Sequence, residues 1–187
     1  MKIALIADTH VGDRLPRLPV ALFDHLVDVD LILHAGDFTT LDVLTQLKES
    51  AETIAVCGNW DSAEIAAALP RKQTVTAMGK QIGLIHGHLP VQLEQAFLGQ
   101  EIDYDSPLTD EIFAYVASEF PEADIIVFGH FHIPIVKKWG QQLIINPGSI
   151  GPPHERSTIA MLKLSAASIE DVATFIEIEM SDYDYGQ

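Results

Sequence analysis

The chain has one cysteine, Cys57, so an internal disulfide is impossible. That residue reads as a small buried hydrophobe in a protein of a reducing, cytoplasmic compartment. Long apolar runs are missing too: none approaches the ~18 residues that a membrane-spanning helix needs. The opening segment, Met1 to Ala7, lacks a small-residue cleavage site and reads as a first strand rather than a leader. Positive charge is scarce, with 11 lysines and arginines against 27 acidic residues and a net charge of -16. Such a surface repels polyanions, so no long nucleic acid is expected as a partner. The acid-rich end, Glu170 to Asp184, reads as a solvated strand edge and tail.

Apolar residues, in contrast, make up 48% of the 187 positions. This is enough for one well-buried core and short for two, so residues 1–187 are expected to form a single domain. Ile3–Ala7, Leu31–Leu33, Ile54–Val56, Ile82–Ile85, Ile125–Phe128 and Leu143–Ile145 are short, β-branched-rich runs bounded by Gly, Pro, Asp or Asn, as buried strands are. Helical patterns alternate with the early ones. They cover Leu18–Val27, then Thr40–Lys48 with a threonine cap, then Ser62–Leu69, opened by Asp61 and stopped by Pro70. Strand and helix in alternation predict an α/β architecture with right-handed crossovers.

The second half is richer in strands. Gln73–Ala77 and Gln81–His86 flank a hairpin signal at Met78-Gly79-Lys80. Ile135–Trp139, Leu143–Asn146, Thr158–Leu164 and Ala173–Glu179 then follow without a helix between them. Two sheets packed face to face with helices outside are therefore expected. Within 89–122, helices are expected over Val91–Leu98 and over Leu108–Phe120, the latter started by Ser106-Pro107. This stretch reads as a surface insertion, with a lid or a homodimer contact as the alternatives.

Five short motifs each follow an apolar run. They are Asp8-Thr9-His10, Gly36-Asp37, Gly58-Asn59-Trp60-Asp61, His86-Gly87-His88 and Gly129-His130-Phe131-His132. Loops after different strands converge on one crevice in open α/β sheets, so these residues can meet. Asp8 and His10 alternate at a strand terminus, Gly36 lets the backbone pass close, and the two oxygens of Asp37 are enough to bridge two cations. Asn59 adds a neutral carbonyl oxygen, and His86, His130 and His132 add imidazoles, which suit transition metals better than Mg²⁺ or Ca²⁺. Six of the eight histidines lie in or beside these motifs.

The ordered set resembles the calcineurin-like metallophosphoesterases, and within them the small bacterial and archaeal phosphodiesterases related to a retromer subunit. The resemblance implies a four-layer αββα sandwich. It implies one cation on Asp8, His10, Asp37 and His132, and a second on Asp37, Asn59, His86 and His130. The mixed nitrogen and oxygen donors suit two divalent transition metals, Mn²⁺ first, with Ni²⁺, Fe²⁺, Zn²⁺ or Co²⁺ also compatible. Such a pair activates a bridging water for in-line attack on phosphorus. The expected activity is hydrolysis of a small phosphodiester. A phosphomonoesterase or nucleotidase, and a non-catalytic protein-binding scaffold, are the alternatives.

Better-known relatives carry Gly-Asn-His-Glu at the third motif, where that histidine assists the leaving group. Here Trp60 stands in its place, so His88 and Asp61 become the candidates for proton delivery, or for orienting the ligands. Trp60 reads as a packed core aromatic, with a stacking wall as the alternative. His34 reads as a ligand-orienting donor or a buried strand histidine, and His25 as a helix-surface residue. His154 follows the Asn146-Pro147-Gly148-Ser149 turn, and Arg156 is the cation nearest that turn.

Overall fold

The computed structural model describes residues 1–97, 106–151, 156–165 and 173–181. Strands β1 (Lys2–Ile6), β2 (Leu31–His34) and β3 (Glu52–Ala55) alternate with helices α1 (Val20–His25), α2 (Leu41–Ser50) and α3 (Ala63–Ala68). A hairpin of β4 (Lys72–Ala77) and β5 (Lys80–Ile85) follows, then α4 (Val91–Phe97) and α5 (Pro107–Glu119). The chain ends in β6 (Ile125–Val127), β7 (Ile135–Trp139), β8 (Gln142–Asn146), β9 (Thr158–Lys163) and β10 (Thr174–Glu177).

The strands form two five-stranded mixed sheets, ordered β10-β9-β1-β2-β3 and β4-β5-β6-β8-β7. In the first, β1, β2 and β3 run parallel, with Ile3 opposite Leu31 and Leu31 opposite Glu52. In the second, β5, β6 and β8 run parallel. Side chains alternate across a strand, and this alternation builds the layers. Ile3, Leu5, Leu31 and Leu33 point inward against Ile82, Leu84, Ile125, Val127 and Ile145 of the other sheet. Their sequence neighbours Ala4, Ile6 and Ile32 point outward under Leu22, Val43 and Leu47 of α1 and α2. On the opposite outer face, Ile126 and Ile144 meet Ile112, Phe113 and Val116 of α5. The result is the expected αββα sandwich.

Local chemistry sets the element ends. The first helix is shorter than the Leu18–Val27 expected, because Pro19 disfavours helix at Leu18 and itself takes the N-cap at ψ 136°. Thr40 caps α2 and Ser106 caps α5, as their positions suggested. At α3 the cap is Ser62, whose hydroxyl accepts from the Ile65 N–H at 3.3 Å. Asp61 is engaged elsewhere. The third strand begins at Glu52 rather than Ile54 and stops one residue before Val56. In the 89–122 stretch, α5 is not a surface insertion: Ile112, Phe113 and Val116 are wholly buried, so it forms the outer layer of the second sheet. The segment joining α4 to α5, His154 and most of Glu170–Asp184 lie outside the described residues.

Candidate metal centre

Each parallel strand delivers one motif from its C-terminal end. Asp8 and His10 follow β1, Asp37 follows β2, Asn59 follows β3, His86 follows β5, and His130 and His132 follow β6. The two sheets therefore contribute to one crevice. The loops are stitched together by backbone bonds: Asp8 N–H donates to Gly36 O at 3.0 Å, His10 N–H to Asp37 O at 3.1 Å, and Gly129 N–H to His86 O at 2.9 Å.

The backbone at these positions is bent into an uncommon region. Asp8, His10, Asp37, His130 and His132 all have φ between 46° and 69°, the left-handed conformation that side chains other than glycine rarely adopt. Left-handed turns of this sort cost roughly 1–3 kcal/mol each and are kept where geometry matters. Two glycines make the approach possible. A Cβ on Gly58 would lie 2.0 Å from Asp37 Oδ1, and one on Gly36 would lie 2.8 Å from Gly58 N and 2.9 Å from His86 Nδ1.

Asp8, His10, Asp37 and His86 are buried. Two donor groups converge, each with its ligand atoms within 4.8 Å of one another: Asp8, His10 and His132, and Asp8, Asp37 and His86. His132 Nε2 is 3.2 Å from Asp8 Oδ1, and His10 Nε2 is 3.4 Å from His132 Nε2. Asp37 sits between the groups. Its Oδ1 accepts the Trp60 N–H at 2.9 Å. Its Oδ2 lies 3.9 Å from His10 Nε2 and 3.2 Å from His86 Nε2. The sequence reading spread the bridge over two carboxylate oxygens; the geometry turns a single one, Oδ2, toward both sides. Asn59 Oδ1 closes the second group, 2.9 Å from His86 Nε2 and 3.1 Å from His130 Nδ1.

These contacts fit a cation. The Nδ1 of His86 is 2.8 Å from Ala35 O, a carbonyl that can only accept, so Nδ1 carries the proton. Nε2 of the neutral ring would then aim its lone pair at two oxygens, those of Asp37 and Asn59. Either a proton or a metal must lie there. Without a metal the proton wins: burial disfavours it, but the Asp37 carboxylate more than compensates, and His86 is raised to about 9. Burial likewise works against the Asp37 charge, yet the His86 hydrogen bond holds that carboxyl down to about 2. Asp8 is lowered too, with the His132 hydrogen bond outweighing burial. His10 falls to about 4 and His130 to about 3, chiefly through burial, so both rings are neutral and ready to ligate. His10 Nδ1 is buried without a hydrogen-bond partner.

The supporting residues differ from the sequence reading in several places. Asp61 accepts from four backbone N–H groups: Asp37 at 3.0 Å and Gly58 at 2.7 Å through Oδ2, Phe38 at 2.7 Å and Thr39 at 2.9 Å through Oδ1. A carboxylate so engaged fixes the loops and has no free lone pair aimed at a substrate. Trp60 is not a core aromatic. It is 56% exposed, with Arg14 Cζ 5.5 Å from its ring centroid and the His10 ring 6.2 Å away. A tryptophan followed by the Asp61 anchor has no core-facing position to occupy.

His34 is wholly buried, accepts the Gly36 N–H on Nδ1 at 3.2 Å and stacks on Phe38 at 4.0 Å. It thereby braces the loop that carries Asp37. His25 is half-buried near the end of α1. Arg156 is exposed, 3.9 Å from Glu177, on the rim of a cavity that also includes His132. Cys57 is buried as expected.

Two residues had no sequence signal. Glu94 on α4 places Oε1 3.1 Å from His130 Nε2, while its backbone neighbour loop is tied by Leu89 N–H to the same oxygen at 3.0 Å. Arg71 Nη2 lies 2.7 Å from His88 Nε2. Neither adjoins a motif in sequence, and only the folded loops bring them in.

Comparison with known proteins agrees with this geometry. Residues 1–167 match the family model described as the calcineurin-like phosphoesterase superfamily domain. A probable metallophosphoesterase of Methanocaldococcus jannaschii is 35% identical over 154 residues, covering 82% of this chain and 70% of that protein. A phosphodiesterase of the same organism is 26% identical over 152 residues, covering 79% and 83%. In structure, vacuolar protein sorting 29 from Cryptosporidium parvum superposes with a TM-score of 0.70 at 20% identity, covering 95% of this chain and 97% of that one. At that identity the likeness speaks for the fold.

Proposed function

The chain belongs to the calcineurin-like phosphoesterase superfamily, and from that membership we propose that it is a metal-dependent phosphodiesterase acting on small substrates. One observation carries the reading: Asp37 Oδ2 faces His10 and His86 together, between two sets of buried donors. Asp8, His10, Asp37 and His132 would hold one divalent cation, and Asp37, Asn59, His86 and His130 a second. Bound there, the pair supplies Lewis-acid activation of water and neutralises charge on the phosphoryl oxygens. Manganese is the first choice for the nitrogen and oxygen donors, with nickel, iron, zinc and cobalt also compatible.

The chain's own residues complete the site. Gly58 and Gly36 let the loops close on Asp37, and Asp61 fixes those loops through four N–H groups. Glu94 holds His130 with its proton on Nε2, leaving Nδ1 free to ligate, which is how carboxylates commonly orient metal-binding histidines. The position after Asn59 holds Trp60, which cannot transfer a proton to a leaving group. His88 Nε2 is engaged by Arg71, which only donates, so the ring holds its proton on Nδ1. Little acid assistance favours esters with good leaving groups over monoesters with poor ones.

The test compares bis(p-nitrophenyl) phosphate with p-nitrophenyl phosphate in Mn²⁺, for the wild type, Asp37→Asn and His88→Ala. The expected result is a higher kcat/KM on the diester and loss of at least ~10²-fold in Asp37→Asn. An unchanged rate in that variant refutes the reading, and a preference for the monoester turns it into the phosphomonoesterase one. The scaffold reading rests on the resemblance to vacuolar protein sorting 29, which is one of fold. All seven donor residues remaining in place favours catalysis over it.

A further inference from the structure

We propose that the pocket beside His88, headed by Arg71, is a subsite for a second phosphate group carried by the substrate. The inference rests on the phosphoester being held at the cation centre, and it adds what the rest of that substrate looks like.

The pocket, of about 350 Å³, is lined by Arg71, Lys72, His88, Leu89, Tyr115 and Glu119 among others. It opens directly from the metal centre. The His88 ring is 5.9 Å from that of His86 and 6.3 Å from that of His130, centroid to centroid. Arg71 Nη2 then lies 2.7 Å beyond His88 Nε2. One imidazole thus separates the proposed cations from a guanidinium. An ester held at His86 and His130 has to extend past His88, and the first charge it meets is Arg71.

The charge pattern points the same way. Only 11 lysines and arginines serve a chain of net charge -16, yet two of them are adjacent at this one pocket. Lys72 Nζ is bound to Glu119 at 2.6 Å, which cancels its charge and fixes the wall. Arg71 makes its hydrogen bond to a neutral ring and no carboxylate pairs with it among the described residues, so its positive charge is uncompensated. A guanidinium presents donors in a planar fork that matches phosphate in two-point contact. His88 Nδ1 carries the ring proton and is buried without a partner, a second donor in the same wall. Leu89 and Tyr115 give the cavity its apolar and aromatic sides, suited to the sugar or short chain between two phosphates.

The experiment uses the full chain loaded with Mn²⁺ and calorimetric binding of thymidine 5′-phosphate and thymidine 3′,5′-bisphosphate. The bisphosphate is expected to bind at least tenfold tighter in the wild type. That preference should fall to about twofold or less in Arg71→Gln and be partly kept in Arg71→Lys, where charge remains without the fork. Equal affinity for the two ligands, or a preference that survives Arg71→Gln, overturns the subsite. Hydrolysis of thymidine 5′-(p-nitrophenyl phosphate), with and without a 3′-phosphate, is measured alongside. If neither ester is cleaved while the binding preference and its loss in Arg71→Gln are seen, the phosphodiesterase reading fails and the subsite stands. If both are cleaved equally and binding shows no preference, the subsite fails and the phosphodiesterase reading stands.

Discussion

His86 Nε2 and Asp37 Oδ2 lie 3.2 Å apart, both buried, and in the metal-free protein they form an ion pair. The His86 imidazole is raised from 6.5 to about 9, so folding favours its protonated form. That contribution is complete below pH 6.5 and is lost as pH rises through about 9. Asp37 is lowered from 3.8 to about 2, so its contribution is present above pH 3.8 and is lost as pH falls through about 2. Metal-free protein should therefore be most stable between those two ordinary values, and thermal melts across pH 3 to 10 measure this.

A cation at the same place must displace the His86 proton. At pH 7 His10 and His130 are already neutral, whereas His86 is charged. Manganese binding should release about one proton from this ring, and the apparent Kd should tighten close to tenfold per pH unit from 7 towards 9. Calorimetry in buffers of different ionisation enthalpy counts the proton. Affinity that does not vary over this range contradicts the pairing.

Asp61 separates loop anchoring from proton transfer. Asp61→Ala leaves four N–H groups without their acceptor and should lose about 2–4 kcal/mol in urea unfolding, since hydrogen bonds to a charged group are worth about 1.5–3 kcal/mol each and water recovers part. Metal affinity should fall with it, because Asp37 N–H and Gly58 N–H are among the four. Asp61→Asn keeps acceptors on one oxygen and should fall between. A variant of normal stability and metal affinity that has lost only kcat would make Asp61 a proton donor instead.

Glu94→Gln tests the contact from α4. The amide can no longer hold the His130 proton on Nε2 as firmly, so affinity for the cation facing Asn59 and His130 should drop about 10- to 100-fold. Metal titration followed by competition with a chelator reads the loss. No change would mean that the 3.1 Å contact does not orient the ring.

The layers and the seven donors were legible because both are periodic or local in sequence. Apolar strands read directly, and each donor stands within a few residues of a strand end, where the fold must converge. Glu94 and Arg71 were not legible. Each reaches the site across a loop, and a lone glutamate on a helix or an arginine after a proline carries no pattern of its own. Trp60 was misread because size and apolarity suggest burial, whereas its place is decided by Asp61 holding the loop so that residue 60 faces outward. The helix after Pro19 was overextended for a simpler reason, the steric effect of proline on the residue before it.

Trp60 offers the most direct test of substrate chemistry on the side opposite Arg71. The ring is exposed, so its removal leaves no cavity, and only the weak contact with Arg14 is lost. Trp60→Ala should therefore stay within about 1 kcal/mol of the wild type. Stacking of an aromatic group on an exposed ring is worth about 1–3 kcal/mol, so KM for bis(p-nitrophenyl) phosphate should rise about fivefold or more. For methyl p-nitrophenyl phosphate, which can place only one ring, the rise should be smaller, with kcat preserved in both cases because Trp60 donates only its backbone N–H to Asp37 and alanine keeps that bond. Equal effects on the two esters, or a loss confined to kcat, would mean that the indole positions Asp37 and does not face the substrate.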